Sequence, residues 1–416
     1  MRKMRGFERL IKLSDAQKII MEKCGDFFGV EKVTSDQASG RVLAEDAKAV
    51  TDVPPFDRSA VDGYAIRSGE SFSASSTNPA VFILKGSAEA GSAKGRIEAG
   101  ECYEIFTGAE IPEGGDAVVM AEDCSMEGMK ILVKRAVPKG ANISFRGEDI
   151  KEGEVMVRKG ETLRPWHIAA LIASNVKSVE VRRLPSVGVI STGSELDADS
   201  NERVKAGRIA DSTRPMIIGM LKELGCAVVD AGIVGDDLCL ISDKIGSLVK
   251  QADMVITIGG TSLGARDLVP EAFEAATGER LIFHGVSIKP GKPAGFGMAG
   301  GVPLFTLPGY PVSALVGFEA LVQPLLLRWL GREQFERRRI RASLSRRVPI
   351  TPGVTHFLRV TIKERDGEYI AHPIAITGSG LISSITKADG IAIINDDLEG
   401  IDEGEEIEVQ LLRRIN

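Results

Sequence analysis

The stretch SVGVISTGSE, residues 186–195, carries a short apolar run, Val187 to Ile190, straight into Ser191, Thr192, Gly193, Ser194 and Glu195. A run of that kind reads as a buried strand, and the small polar residues after it read as a loop. Working outward, apolar strands alternate with amphipathic helices: Ser186 to Ser191, Arg214 to Leu224, Ala227 to Val234, Leu238 to Lys250, Asp253 to Ile258 and Pro311 to Leu330. This alternation predicts a doubly wound α/β sheet between Pro185 and Leu330.

Such sheets bind ligands just past the carboxyl ends of their strands. Ser191 to Glu195 is one loop so placed. A second, Gly259-Gly260-Thr261-Ser262-Leu263-Gly264-Ala265-Arg266-Asp267, has backbone N–H groups suited to a phosphate and an acid a few residues on. It matches neither a dinucleotide G-x-G-x-x-G nor a Walker loop, so a tight βα turn is the plain alternative. A third, His284 to Pro293, holds Lys289-Pro290-Gly291-Lys292. Pro then Gly favours a type II turn, bringing the two lysine Cα atoms within about 7 Å. Paired ammonium groups make sense if an anion bridges them, and two solvated lysines are the alternative. A fourth, Leu307-Pro308-Gly309-Tyr310-Pro311-Val312-Ser313, starts a helix whose N-terminus and Ser313 hydroxyl suit another anionic group.

Upstream, Ser14-Asp15 reads as a helix start, and a second helix is expected from Thr34 to Leu43. From Thr51 to Glu148, short segments such as Ala80 to Lys85, Glu101 to Phe106, Ala117 to Glu122 and Ile131 to Arg135 lie between Gly, Pro and Ser clusters, with Glu127-Gly128 as a hairpin turn. Arg164 to Asn175 returns to helical spacing. The organisation expected is multidomain α/β plus β. Residues 1–50 with 150–184 form an N-terminal mixed α/β region, 51–149 an inserted β-rich domain, 185–331 the α/β domain and 338–416 a C-terminal β-barrel-like domain. Glu336 to Arg341 is expected as a linker or solvated face.

A net charge of −6 over 416 residues argues against wrapping nucleic acid. Five scattered cysteines without a C-x-x-C pair encode neither a disulfide frame nor a zinc knuckle, which fits a reducing compartment. Neither an apolar leader nor a run of membrane length is read, so a cytoplasmic protein without membrane contact is expected. His167, His284, His356 and His372 sit in no nucleophile elbow and at no metal-ligand spacing, and read as structural.

The segment PPFDRSAVDGYA, residues 54–65, sets Asp57 and Asp62 between a Pro-Pro pair and Gly63, a composition poorly suited to core packing. With Glu195, Asp236, Asp237 and Asp267 these acids suit a divalent cation, while the lysines and loop amides suit phosphate. Together they describe magnesium-assisted chemistry on a phosphorylated or nucleotidyl ligand.

Eight ordered motifs then carry a resemblance over essentially the whole chain. They are PPFDRSAVDGYA, FTGAEIPEGGDAVVM (106–120), RGEDI (146–150), STGSEL (191–196), GRIADST (207–213), GGTSLGARD (259–267), KPGKPAGFG (289–297) and LPGYPVSA (307–314). The chain resembles the molybdopterin molybdenumtransferase family, also related to the C-terminal part of gephyrin. The resemblance implies insertion of molybdate into adenylylated molybdopterin, with Mg2+ assisting release of AMP. It implies catalytic roles for Asp57, Asp62, Thr107, Arg146, Asp149, Glu195, Asp236, Asp267, Lys289 and Lys292. Cofactor contacts are implied for Thr192, Gly193, Ser194, Gly259, Gly260, Ser262, Gly264, Pro308, Gly309 and Ser313, and more loosely for Arg359 and Ser384. Magnesium would fall to Asp57, Asp62, Glu195 and Asp267. A homodimer with a shared cleft is implied, as are contacts with molybdopterin adenylyltransferase and cofactor-accepting enzymes. A tungstate-inserting relative and a non-catalytic sensor or scaffold are the alternative readings.

Overall fold

The computed structural model describes residues 10–27, 29–91, 95–197, 206–260, 268–332, 337–374 and 380–415. Its chain divides into two compact units, Met1–Gly29 with Arg182–Asn416, and Val30–Val181.

The first unit contains the expected α/β sheet. Its strand order is Ala227–Val234, Ser186–Thr192, Met254–Ile258, Val302–Leu307, Gly295–Ala299 and Phe283–His284, the first four parallel and Gly295–Ala299 antiparallel to both of its neighbours. The chain leaves Ser186–Thr192 through helix Thr213–Glu223 to the strand on one side. It returns through helix Leu238–Gln251 to the strand on the other. Two apolar cores therefore form, one per face. Val187, Val189, Ile217, Leu221 and Ile256 pack in one, and Ile190, Ile241, Ile245, Leu248 and Val255 in the other. The connections reverse direction between Ser186–Thr192 and Met254–Ile258, and the carboxyl ends at such a reversal are where sheets of this kind bind ligands.

The expected helix Pro311 to Leu330 is interrupted. Pro311–Gly317 and Gln323–Leu330 are α-helical, and Phe318–Val322 between them is a π-helix. This span is long and apolar enough to cross a membrane by length and composition, which corrects the expectation that none was. Its Val316, Phe318, Leu321, Val322, Leu325 and Leu326 are instead buried in the protein core.

Helix Leu13–Cys24 belongs to the same unit and buries Ala16 and Ile20 in that core. Five further strands close a barrel, Thr355–Arg365, Glu368–Pro373, Arg339–Leu344, Glu406–Leu411 and Gly390–Ile394, the last pairing back onto the first. The basic stretch before it is not simply a solvated linker. Arg337 donates to Glu319, both largely buried, while Arg339 and Arg341 pair across strands with Glu408 and Glu406.

The second unit is β-rich. Its six-stranded sheet runs Ala117–Met120, Gly63–Ile66, Glu101–Ile105, Ala80–Ala88, Lys130–Val133 and Cys124–Glu127, with Gly128 turning the last hairpin at φ +64°. The expected helix from Thr34 to Leu43 is absent. The chain there is strand Val30–Thr34, a 3-10 turn Ser35–Gln37 and a turn at Gly40 with φ +78°. The Ser35 hydroxyl donates to the Val176 carbonyl rather than capping a helix, and Gly40 takes a conformation that ends any helical run. Helix Pro165–Ala173 forms as expected, with Pro165 in its first turn.

Candidate functional site

Four loops meet at the carboxyl ends of the parallel strands. Gly193 N–H donates to the Val234 carbonyl and Gly259 N–H to the Leu307 carbonyl, each at 3.0 Å, so consecutive loops are stitched edge to edge. Ser194 and Asp236 lock reciprocally: Ser194 N–H donates to Asp236 Oδ2 at 3.2 Å, and Asp236 N–H donates to Ser194 Oγ at 2.9 Å. A Cβ on Gly193 would lie 2.8 Å from both Glu195 carboxylate oxygens, so the acid folds back over bare backbone. A Cβ on Gly259 would run into the Thr192 carbonyl oxygen, and one on Gly260 would sit 2.8 Å from Thr192 Oγ1. Thr192 is 2 % exposed, and its hydroxyl finds no hydrogen-bond partner among the described residues. A buried hydroxyl in that condition carries a desolvation cost that a ligand group would relieve.

The Pro308-Gly309 turn completes this rim. Thr213 Oγ1 donates to the Gly309 carbonyl at 2.7 Å, tying the start of helix Thr213–Glu223 to it. Thr213 belongs to the GRIADST motif but is not among the candidate site residues. Ser313 is buried in the helix that follows. Asp237, read as an acid for a cation, instead caps helix Leu238–Gln251 by accepting from Leu240 N–H at 2.9 Å. Ser262, Gly264 and Asp267 lie outside the described residues.

Lys289 and Lys292 follow in the same unit. Gly291 has a positive φ of +116° and the Lys289–Pro290 peptide is cis, while the turn bond in this loop runs from Ala294 N–H to the Gly291 carbonyl at 3.0 Å. A Cβ on Gly291 would approach the Ser313 carbonyl oxygen at 3.4 Å, which sets the lysine loop beside the Pro308–Ser313 segment. Strand Ile288–Lys289 pairs in parallel with Thr355 and His356. His356 is buried, and its Nε2 accepts from Thr351 N–H at 3.2 Å. Burial, then the charge of Lys289, pushes His356 below the usual histidine range, so it stands neutral beside the lysine.

Arg359 and Ser384 are buried in the same unit. Arg359 is 4 % exposed, and burial lowers its pKa. Ser384 donates its hydroxyl proton to the Leu381 carbonyl at 2.6 Å within its own turn.

The carboxylates of the second unit form their own arrangement. Strand Arg58–Ser59 pairs with Ile143–Ser144, which brings the 54–65 and 146–150 segments side by side. Arg146 N–H donates to Asp57 Oδ1 at 2.8 Å, while the Arg146 side chain holds Asp52, a residue that the sequence reading passed over. Thr107 donates to Asp62 Oδ1 twice, from its N–H at 2.7 Å and its hydroxyl at 2.8 Å. The backbone bond and then the hydroxyl bond hold the Asp62 carboxyl below its ordinary range. Gly63 is the first residue of a strand, and glycine is required there because a Cβ would collide with the Val119 carbonyl. Asp149 is exposed and fixed by its backbone, N–H to the Val53 carbonyl at 3.1 Å.

Among the described residues no cluster of three or more His, Cys, Asp or Glu is placed to hold a metal ion. The exposed carboxylates nevertheless suit magnesium, which takes hard oxygen donors from one or two carboxylates and completes its shell with water and substrate phosphate. Asp57 and Asp62 each use Oδ1 in the bonds above, leaving Oδ2 outside them.

Comparison with known proteins covers nearly the whole chain. Residues 11–174 match the MoeA N-terminal region (domains I and II), 188–328 a probable molybdopterin binding domain, and 341–412 the MoeA C-terminal region (domain IV). A putative molybdopterin biosynthesis protein of Methanocaldococcus jannaschii is 35% identical over 421 residues, covering 99% of this chain and 100% of that one. The molybdopterin molybdenumtransferase of Bacillus subtilis is 33% identical over 392 residues, covering 93% and 90%. Two solved structures of the molybdopterin biosynthesis MoeA protein from Pyrococcus horikoshii superpose with TM-scores of 0.79 and 0.71. They are 36% and 35% identical, covering 98% and 97% of this chain and all of each structure. With its three matched regions in the same order and full-length relatives above 30% identity, the chain belongs to the MoeA family of molybdopterin biosynthesis proteins.

Proposed function

We propose that this protein is a molybdopterin molybdenumtransferase that inserts molybdate into adenylylated molybdopterin and releases AMP. The observation that carries the reading is the cluster of loops at the sheet's reversal point, where Thr192, Gly193, Ser194, Asp236, Gly259 and Gly309 interlock around a buried hydroxyl that finds no partner among the described residues. Small residues admit a ligand close to the backbone, and amides and hydroxyls supply hydrogen bonds to phosphate.

In this reading the dithiol gives up two protons as two Mo–S bonds form, and one molybdate oxygen leaves with those protons as water. The pyrophosphate link is broken by water, and AMP departs as the phosphate monoester. Lys289 and Lys292 supply positive charge to the bound anion, which is worth most where solvent is excluded. Asp57 and Asp62 orient molybdate or accept a proton from the attacking water. Asp57, Asp62 and Glu195, with Asp267, would hold magnesium, whose charge would ease departure of the phosphate oxygen.

The proposal includes a homodimer in which the β-rich module of one subunit and the α/β and C-terminal modules of its partner share one cleft. It also places the protein in the cytoplasm, in contact with molybdopterin adenylyltransferase and with the enzymes that accept finished cofactor. Incubating purified protein with adenylylated molybdopterin, molybdate and magnesium should release AMP. Tight binding of the same compound with no AMP released would point to a sensor instead.

A further inference from the structure

Asp52 belongs to none of the eight motifs, yet it reaches across to the arginine of the RGEDI segment. Its Oδ1 accepts from Glu152 N–H at 2.9 Å, and its Oδ2 accepts from Arg146 Nε. The backbone beside it is stitched to match: Val53 N–H donates to the Ile150 carbonyl at 2.8 Å, and Gly147 N–H to the Pro54 carbonyl at 3.0 Å. Gly147 has φ +68°, and a Cβ there would come within 3.1 Å of Asp52 Oδ1, so glycine at this position leaves the carboxylate its room. The carboxylate is held by backbone on one oxygen and holds the arginine with the other.

A guanidinium gripped at Nε is fixed in plane and direction, because Nε is the base of a rigid planar fork. The Asp52 side chain is 17 % exposed and that of Arg146 61 %, so the contact is sheltered while much of the arginine lies open. Neither Nη nitrogen takes part in the bonds above, and two parallel Nη N–H groups match two oxygens of a tetrahedral anion. The Arg146 backbone N–H meanwhile donates to Asp57 Oδ1 at 2.8 Å, which sets the base of the arginine beside a carboxylate of the candidate site. The Glu152 amide and then the Arg146 bond hold the Asp52 carboxyl below its ordinary range, and the same ion pair raises the arginine. Both partners therefore stay ionised at neutral pH.

We propose that Asp52 is a positioning residue for Arg146: it takes the Nε–H, fixes the guanidinium plane and so presents the two Nη groups to a tetrahedral oxyanion bound beside Asp57. That oxyanion is molybdate or the phosphate of the adenylylated ligand, which share shape and charge. The proposal rests on the transferase reading for the identity of the anion, and on the hydrogen bonds of Asp52 for the bracing.

The test uses the full chain. Asp52→Asn keeps one oxygen for the Glu152 amide but turns an NH2 group toward Arg146 Nε–H, donor against donor. In the AMP-release assay it should raise the KM of the substrate that Arg146 grips about tenfold, with kcat little changed. A larger rise in the molybdate KM assigns the fork to molybdate, and a larger rise in the adenylylated molybdopterin KM assigns it to the phosphate. Arg146→Ala should raise the same KM, and adding Asp52→Asn to it should change nothing further. Additive effects, or KM values that stay put in Asp52→Asn, would overturn the proposal. A second measurement needs no variant: nitrogen NMR should find the Arg146 Nε–H of the wild-type protein slow to exchange with water, and fast exchange would equally overturn the bracing. A wild-type protein that releases no AMP would sink the transferase reading instead, and the Nε–H exchange would still decide whether Asp52 holds the arginine.

Discussion

Gln17 donates its side-chain amide to the backbone carbonyl of Ala320 at 2.9 Å, and Pro324 is the reason that carbonyl is available. In an α-helix Ala320 would receive the N–H of the residue four positions on, which is Pro324 and has none. The helix widens into a π turn at Phe318–Val322, with Gln323 N–H reaching back to the Phe318 carbonyl. Gln17, on the N-terminal helix, fills the gap from across the core. Replacing it with Leu should cost about 1–2 kcal/mol, the penalty of an unsatisfied buried carbonyl. Pro324→Ala should remove most of that penalty, so a double-mutant cycle in urea should show coupling of about 0.5 kcal/mol or more. Additive effects would mean that the two residues do not share the carbonyl.

Gly259→Ala should abolish AMP release and lower stability by several times the usual effect of an exposed substitution, roughly 2 kcal/mol or more. Gly259 has φ +92°, and its added Cβ would meet the Thr192 carbonyl, a backbone atom that cannot swing aside. Gly246→Ala, whose Cβ would find only Ala276 at 4.0 Å, is the control and should be neutral or slightly stabilising. Equal behaviour of the two variants in thermal melts would refute the argument.

Thr107→Val should move the Asp62 titration upward without returning it to the ordinary carboxylate range. The larger cause of the depressed pKa is the Thr107 backbone N–H, which valine keeps, and the smaller is the hydroxyl, which it loses. A lowered folded-state pKa contributes stability above the ordinary carboxylate range and loses it as pH falls through the depressed value, so the variant should lose this contribution at a higher pH. Carbon NMR of the Asp62 carboxyl reads the shift directly. If ionised Asp62 serves the reaction, the acid limb of AMP release should move the same way, and a titration that stays put would remove Thr107 from the account.

Much of this was legible in the sequence, for physical reasons that differ by element. Ser186–Thr192 and Met254–Ile258 are buried on both faces, so their apolar runs announce a parallel sheet, and the small residues after them announce the loops at its carboxyl ends. Ser35 is ambiguous in sequence because a serine before mixed residues suits a helix cap as well as the tertiary bond it makes with Val176. The π turn is encoded by Pro324 but visible only once Gln17 is known to lie opposite. Asp237 and Asp236 are adjacent acids with unrelated tasks, one capping a helix and one locking Ser194, and only the geometry separates them. His356 gives no motif because its partner, the Thr351 N–H, is a backbone group brought close by folding.

The shared-cleft proposal makes a demand that single mutants do not test. An Asp57→Ala chain and a Lys289→Ala chain should each be inactive as homodimers, because every cleft then lacks either the carboxylate or the ammonium group. In a heterodimer of the two, one cleft carries both substitutions and the other carries neither. A purified heterodimer, obtained with two different affinity tags, should therefore recover about half of wild-type AMP release per dimer. Separate titration of tagged subunits by light scattering would establish that the mixed species is the one assayed. Clefts built within a single chain predict no recovery at all, since each would retain one lesion, and that outcome would confine the acids and the lysines to the same subunit's chemistry.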